Sequence, residues 1–130
     1  MNIKNEVAFY TIGRQTKMSG VVNVKKACLV KRGIANFQEW AAREDAVYIG
    51  RNMSFYVPGA IGSKWQNPFP VKKYGRDECL ALYETFIREH PSLYNELGEL
   101  KGKELGCWCC PEPCHGHVLM RLLKDHTGIL

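Results

Sequence analysis

Three short apolar, β-branched runs stand out along the chain, and between them the apolar spacing lengthens from strand-like to helical. Val21 to Val24, bounded by Gly20 and by Lys25-Lys26, predicts a buried strand. Ala46 to Gly50 predicts a second, and Glu104 to Cys109, entered through a turn at Gly102, a third. Asn36 is placed to cap a short helix over Phe37 to Arg43, with Phe37, Trp40 and Ala41 on one face. Asp77 heads the clearest helix, which runs to His90 with Leu80, Tyr83, Phe86 and Ile87 as its apolar stripe. Pro91 stops it, because proline lacks the N–H and clashes with the preceding turn. Ser92 caps a short helix carrying Leu93, Leu97 and Leu100. Val118 to Asp125 predicts a closing helix that buries Val118, Leu119, Leu122 and Leu123. Strands alternating with helices predict an α/β fold, a small, mainly parallel sheet of three to four strands covered by helices. Residues 1 to 20 read as an N-terminal extension able to add an edge strand, and 21 to 130 as a single domain.

From Asn52 to Gly75 neither period holds, and Pro58, Gly59, Gly62, Pro68 and Pro70 punctuate the segment. A loop of about 20 residues is longer than a plain connector needs. Within it, Gly62 permits close backbone approach, Ser63 and Asn67 offer hydrogen bonds, and Trp65 offers a stacking face. Arg51, at the end of the second strand, suits a phosphate or a carboxylate. A structural reading competes on equal terms: Trp65 and Phe69 pin the loop to the core and Arg51 is simply solvated.

Four of the six cysteines, Cys107, Cys109, Cys110 and Cys114, fall within eight residues. Loops that short make poor disulfide frameworks, whereas metal ligands and reactive thiols commonly cluster this way. Cys28 and Cys79 stand alone and read as small buried residues. Cys107 and Cys109 lie two apart on a strand, so they share a face, with Trp108 on the other. Pro111 and Pro113 stiffen the next turn and bring Cys114 and His115 to the start of the last helix. Cys107, Cys109, Cys114 and His115 are therefore a chemically sensible tetrahedral zinc set, with Cys110 and His117 as spares. Three readings stay open here: a metal site, a thiol activated at a helix N-terminus with Cys114 as the candidate, and plain packing. Cys107 and Cys110 have Cys-x-x-Cys spacing, but no second, distant hook completes the familiar zinc pattern. A Cys114–His115 catalytic pair is disfavoured because sequence neighbours rarely aim side chains at each other, and His117 would serve better as a base. A Cys-x5-Arg phosphatase loop is absent, since Pro113, His115, Gly116 and Met120 stand six beyond the clustered cysteines.

Composition narrows the setting. At 130 residues and 45% hydrophobic, the chain has enough apolar content for one core. No run approaches the ~20 apolar residues that span a bilayer. Residues 1 to 20 are broken by Lys4, Glu6, Arg14 and Lys17, which leaves no signal-peptide apolar region. An intracellular, cytoplasmic protein with reduced cysteines and no membrane partner is expected. Eighteen basic against 13 acidic residues give a net +5, with the excess concentrated before residue 77. That balance attracts phosphate, in a nucleotide or a nucleic acid. Scattered cations without a recognition helix imply nucleic-acid binding that is weak, salt-sensitive and sequence-tolerant.

Val21 to Val24, Val47 to Arg51, Trp65-Gln-Asn-Pro-Phe69 and Leu105-Gly-Cys-Trp-Cys109, followed by Pro111 and Cys114-His115, resemble the domain-of-unknown-function family numbered 4326. That family is frequent in phages, bacteria and large viruses, and the resemblance covers roughly residues 21 to 125. The chain departs from it by an extra segment between about Cys28 and Glu44 and by a longer loop after Arg51. The strand-end cysteine followed by Cys-His is also similar to family 488, where an acid stands at the position of Cys109. Cysteine and acid both ligate metal, so this similarity implies a metal site; neither resemblance implies a reaction. The working expectation is a zinc-stabilised domain that binds a phosphate-bearing ligand, a nucleotide or nucleic-acid element, through Arg51, Ser63, Trp65 and Asn67. The alternatives are an enzyme acting on nucleotides, with Cys114 as nucleophile or the metal as Lewis acid, and a host-interaction protein without small-molecule chemistry.

Overall fold

The three apolar runs form the three strands of one sheet in the computed structural model, which describes residues 20–110 and 112–127. The strands are β1 (Gly20–Asn23), β2 (Ala46–Tyr48) and β3 (Glu104–Cys107). The edge strand expected within residues 1 to 20 and the turn stiffening expected of Pro111 lie outside the described residues. All pairings are parallel and the order is β1-β3-β2, so the last strand in sequence lies in the middle. Gly20 pairs with Glu104 on one side, and Ala46 pairs with the same Glu104 on the other. The ladders run one residue past the strands, with Val24 N–H donating to the Cys107 carbonyl (2.9 Å) and Ile49 N–H to the Gly106 carbonyl (3.0 Å).

The order dictates which helices cover which face. The chain crosses from β1 to β2 in one direction and returns from β2 to β3 in the other. Right-handed crossovers that reverse direction must use opposite faces of the sheet. Helices α1 (Lys26–Lys31) and α2 (Phe37–Ala41) cover the first face. There Val22, Ala46 and Tyr48 meet Leu29, Phe37 and Trp40, and Trp108 joins them. The other face carries Val21, Val47, Leu105 and Cys107 beneath α4 (Arg76–Arg88) and α6 (His115–Thr127). Between these two helices in sequence come α5 (Pro91–Tyr94) and a 3-10 turn (Leu97–Leu100), which bury Leu97 and Leu100. Each fully buried aliphatic side chain here contributes roughly 1.5–3 kcal/mol. The strict alternation of faces is the period-two geometry of a strand.

Two glycines let the layers approach. A Cβ on Gly106 would stand 2.3 Å from Trp40 Cη2 and 2.8 Å from Val24 Cγ1, so the indole lies directly on the middle strand. A Cβ on Gly116 would meet Ile49 Cδ1 at 2.9 Å and Val21 Cγ2 at 3.0 Å, so the first turn of α6 sits on the sheet itself.

Several boundaries differ from the sequence expectation. Helix α2 ends at Ala41, whose side chain is exposed, although Asn36 does cap it by accepting the Glu39 N–H (2.9 Å). The irregular loop holds a single helical turn, α3 (Val71–Tyr74), started by Pro70. Helix α4 begins at Arg76, so Asp77 lies in its first turn, where a carboxylate favours the positive end of the helix. Its buried stripe is Cys79, Tyr83 and Ile87, with Leu80 and Phe86 partly covered. Pro91, rather than Ser92, opens α5, because proline is pre-shaped for the first helical position. Helix α6 starts three residues before Val118. Cys28 is partly exposed, unlike the fully buried Cys79.

At the amino end of β3, Glu104 is 1% exposed and is held by a bidentate contact from Arg32 at 2.8 and 3.2 Å. Trp40 Nε1–H also donates to it, at 2.9 Å. This polar anchor ties α1, α2 and β3 together at the end of the sheet remote from the carboxyl rim.

Candidate functional site

Parallel strands leave a crevice beyond their carboxyl ends wherever neighbouring strands send the chain to opposite faces. Here β1 leads to α1 on one face and β3 leads to α6 on the other. A cavity of about 450 Å³ opens at this rim. Its lining gathers Arg51 after β2, Lys25 after β1, Cys107, Trp108 and Cys109 at the end of β3, and Cys114 and His115 at the start of α6. Asn67, Phe69 and Arg76 complete the wall from the loop and from α4. Three of the lining residues are basic and none is acidic.

Cys107 and Cys114 form the floor. Each is 2% exposed, and their sulfurs lie 3.5 Å apart with the Cys114 S–H donating to Cys107. Cys114 precedes the first residue of α6, and its sulfur accepts the Gly116 N–H at 3.3 Å. Its own N–H donates to His117 Nδ1 at 3.1 Å. This is the reciprocal logic of a capping box, with cysteine and histidine in place of serine and glutamate. The Cys107 thiol is lowered to about 6, above all by the Cys114 S–H, with help from the Cys109 and Cys110 N–H groups against the cost of burial. Cys114 is pushed upward by the same bond and by burial. The two sulfurs therefore titrate as one coupled pair joined through the Cys114 S–H, with Cys107 lowered and Cys114 raised. Cys110 is raised by burial and donates to the Val21 carbonyl at 3.6 Å.

Neighbouring groups fix this floor. Asn23 Nδ2 donates to the Cys110 carbonyl (2.7 Å), and its Oδ1 accepts the Lys25 N–H (2.9 Å), which shapes the loop after β3. His115 Nε2 lies 2.7 Å from the Ile49 carbonyl, which only accepts, so the proton sits on Nε2. Burial lowers its pKa and keeps the ring neutral, with Nδ1 lacking a hydrogen-bond partner among the described residues. Trp108 Nε1–H donates to the Tyr48 hydroxyl (2.8 Å), which donates onward to the Arg51 carbonyl (2.6 Å). The Arg51 backbone is thereby anchored, while its exposed guanidinium has no ion-pair partner among the described residues.

Of the residues singled out in the sequence, Arg51, Asn67, Cys107, Cys109, Cys114 and His115 line one cavity, and Ser63 and Trp65 do not. Trp65 is 1% exposed and belongs to the core. Its Nε1–H donates to Glu99 (3.2 Å), and its carbonyl accepts the Tyr83 hydroxyl (2.6 Å). Ser63 Oγ accepts the Trp65 N–H at 3.0 Å and serves the turn. The apolar ring gains more from full burial than from the rim, so the expected stacking face is turned inward. Asn67 reaches the cavity with its amide already committed: Oδ1 accepts the Phe69 N–H, and Nδ2 donates to Cys79 Sγ at 3.0 Å. Cys79 in turn donates to the Phe69 carbonyl (2.9 Å), closing a small ring of bonds around Pro68.

The donor set was also expected to hold zinc. Two thiolates on a tetrahedral zinc stand roughly 3.8 Å apart, given a Zn–S distance of ~2.3 Å, so the Cys107–Cys114 spacing nearly fits one edge. No three Cys, His, Asp or Glu side chains are placed to hold one ion among the described residues. The set of Cys107, Cys109, Cys114 and His115 therefore stops at two converging donors.

Lys25, Arg76, Asn23 and Tyr48 were not foreseen. Asn23 did carry a signal, as the one polar residue in a β-branched run. Lys25 and Arg76 looked like any surface cation.

The chain is 36% identical over 88 residues to the "Uncharacterized protein R718" of Acanthamoeba polyphaga mimivirus, a match covering 60% of this chain and 66% of that protein. It is 36% identical over 72 residues to the "Uncharacterized 12.4 kDa protein in nrdA-td intergenic region" of Enterobacteria phage T4, covering 49% of this chain and 67% of the other. The chain thus spans about two thirds of these viral relatives. No solved structure matches significantly. The family model described as Domain of unknown function (DUF4326) matches residues 33–125, a span that holds β2, β3, the cysteine cluster and most of the cleft wall. The chain belongs to that family.

Proposed function

We propose that the cleft binds a phosphate-bearing ligand, a nucleotide or nucleic-acid element. The observation that supports this reading is the charge of the lining: Lys25, Arg51 and Arg76 surround the opening, and no carboxylate competes for them. Arg51 has no ion-pair partner among the described residues, Arg76 donates one N–H to the Pro113 carbonyl (2.9 Å), and a guanidinium offers phosphate two parallel hydrogen bonds. The start of α6, a 13-residue helix, adds a favourable dipole at the same wall.

Calorimetric titration with pyrophosphate and with nucleoside phosphates tests the proposal. Arg51→Ala is expected to weaken binding about tenfold or more, as loss of a charged hydrogen bond does, with the thermal midpoint unchanged. Affinity should fall steeply with salt. Binding that ignores both salt and Arg51 would remove the cations from the account.

The thiol pair favours a second reading, an enzyme acting on nucleotides. In it Cys107, rather than Cys114, is the nucleophile, because Cys107 carries the charge. A covalent adduct on Cys107, found by peptide mass mapping after incubation with nucleotide substrates, would separate catalysis from binding.

A further inference from the structure

We infer that a second cavity, next to the cationic cleft, is a nucleobase subsite, so that the ligand is a nucleotide straddling Trp108; this rests on the phosphate reading above. The second cavity, about 370 Å³, lies on the α1–α2 face of the sheet. Trp108 lines both cavities. Lys25 lines one and its neighbour Lys26 the other, and a single loop supplies Met53 to the first and Tyr56 to the second. The two spaces are therefore neighbours that share Trp108 as a wall.

The chemistry of the second space suits a flat heteroaromatic ring. Phe37 and Trp108 stack with centroids 6.2 Å apart and planes inclined by 21°. Tyr56 closes the opposite side while 75% exposed, and Phe55 beside it is 89% exposed. The Tyr56 ring, held edge-to-face against Phe55 with centroids 5.0 Å apart, gives an exposed aromatic face on the cavity wall on which a base can stack, and stacking tolerates any base. Edge recognition is available from Gln38, whose amide has no hydrogen-bond partner among the described residues, and from Asn36, whose Oδ1 alone is used in capping α2. No carboxylate lines this cavity either, so nothing repels the sugar-phosphate at its border.

Calorimetry with ribose 5-phosphate, free nucleosides and the nucleoside 5′-monophosphates separates the two subsites. At least one monophosphate should bind about tenfold or more tightly than ribose 5-phosphate, the gain expected of one stacked base. Tyr56→Ala should abolish most of that preference and leave the affinity for ribose 5-phosphate unchanged. The exposure of Tyr56 makes this variant harmless to folding, which its thermal midpoint will verify. Equal affinities for ribose 5-phosphate and every monophosphate, or a preference that survives Tyr56→Ala, would overturn the base subsite and leave the phosphate reading standing. Nucleoside binding without ribose 5-phosphate binding would do the reverse. Failure of every probe would overturn both.

Discussion

Cys107 and Cys114 have to be treated as one acid with two protons, and the first of these leaves early. Thiolate absorbance of the pair should rise with a midpoint below the ordinary thiol range, because the Cys114 S–H lowers Cys107. Cys114→Ala removes the S–H that does most to lower this value, so the midpoint should move up toward the ordinary thiol range; an unmoved midpoint would mean that backbone N–H groups alone hold the charge. Glu104 and Arg32 give a second test at this scale. Arg32→Ala leaves a carboxylate that is 1% exposed with only the Trp40 N–H and the more distant Arg43 guanidinium (4.0 Å), and should cost roughly 3 kcal/mol in urea unfolding. Glu104→Gln keeps an acceptor for Trp40 Nε1 and leaves only the partly exposed guanidinium unpaired, so it should cost less than half as much. None of this was readable beforehand. Arg32 and Glu104 are 72 positions apart, and no periodicity links a cation at a helix end to an acid at a strand start.

Strands and helices were far more legible than their contacts. The runs Val21 to Val24, Ala46 to Gly50 and Glu104 to Cys109 each supplied a strand, shorter at the carboxyl end than expected (to Asn23, Tyr48 and Cys107), because β-branched and apolar residues bounded by turns have few other ways to be buried on both sides. Strand-end reasoning also brought Arg51 and the cysteines to one rim, since parallel strands share a carboxyl end. The loop between them was illegible: Trp65 suits a core or a cleft equally, and its direction is set by space under α4 that no local pattern encodes. The close layers at Gly106 and Gly116 yield a graded prediction. Gly106→Ala drives a methyl into an indole and a valine held by the sheet, and should cost about 3 kcal/mol in denaturant unfolding. Gly116→Ala meets only the ends of Ile49 and Val21, which can yield by a few tenths of an ångström, and should cost about 1 kcal/mol. A reversed order would show that α6, and not Trp40, is the tighter contact.

At the scale of the molecule, the described residues hold no helix long and apolar enough to cross a membrane. The surplus of basic over acidic residues is brought to bear where Lys25, Arg51 and Arg76 meet. Elemental analysis of protein purified without chelator, with the thermal midpoint read with and without chelator, tests the zinc expectation. One zinc per chain would require the loop from Trp108 to Pro113 to draw Cys109 toward the pair. The placing of β3 has a further consequence, for the order of events during synthesis. Neither β1 nor β2 touches the other, and each waits for a partner that is made after both of them. Among the described residues, a nascent chain that stops short of Glu104 has no strand pairing, whatever helices it has formed. Because the same four residues end in Cys107, the strand that joins β1 to β2 also brings the cysteine pair to the rim, so the cleft is assembled only once the sheet is.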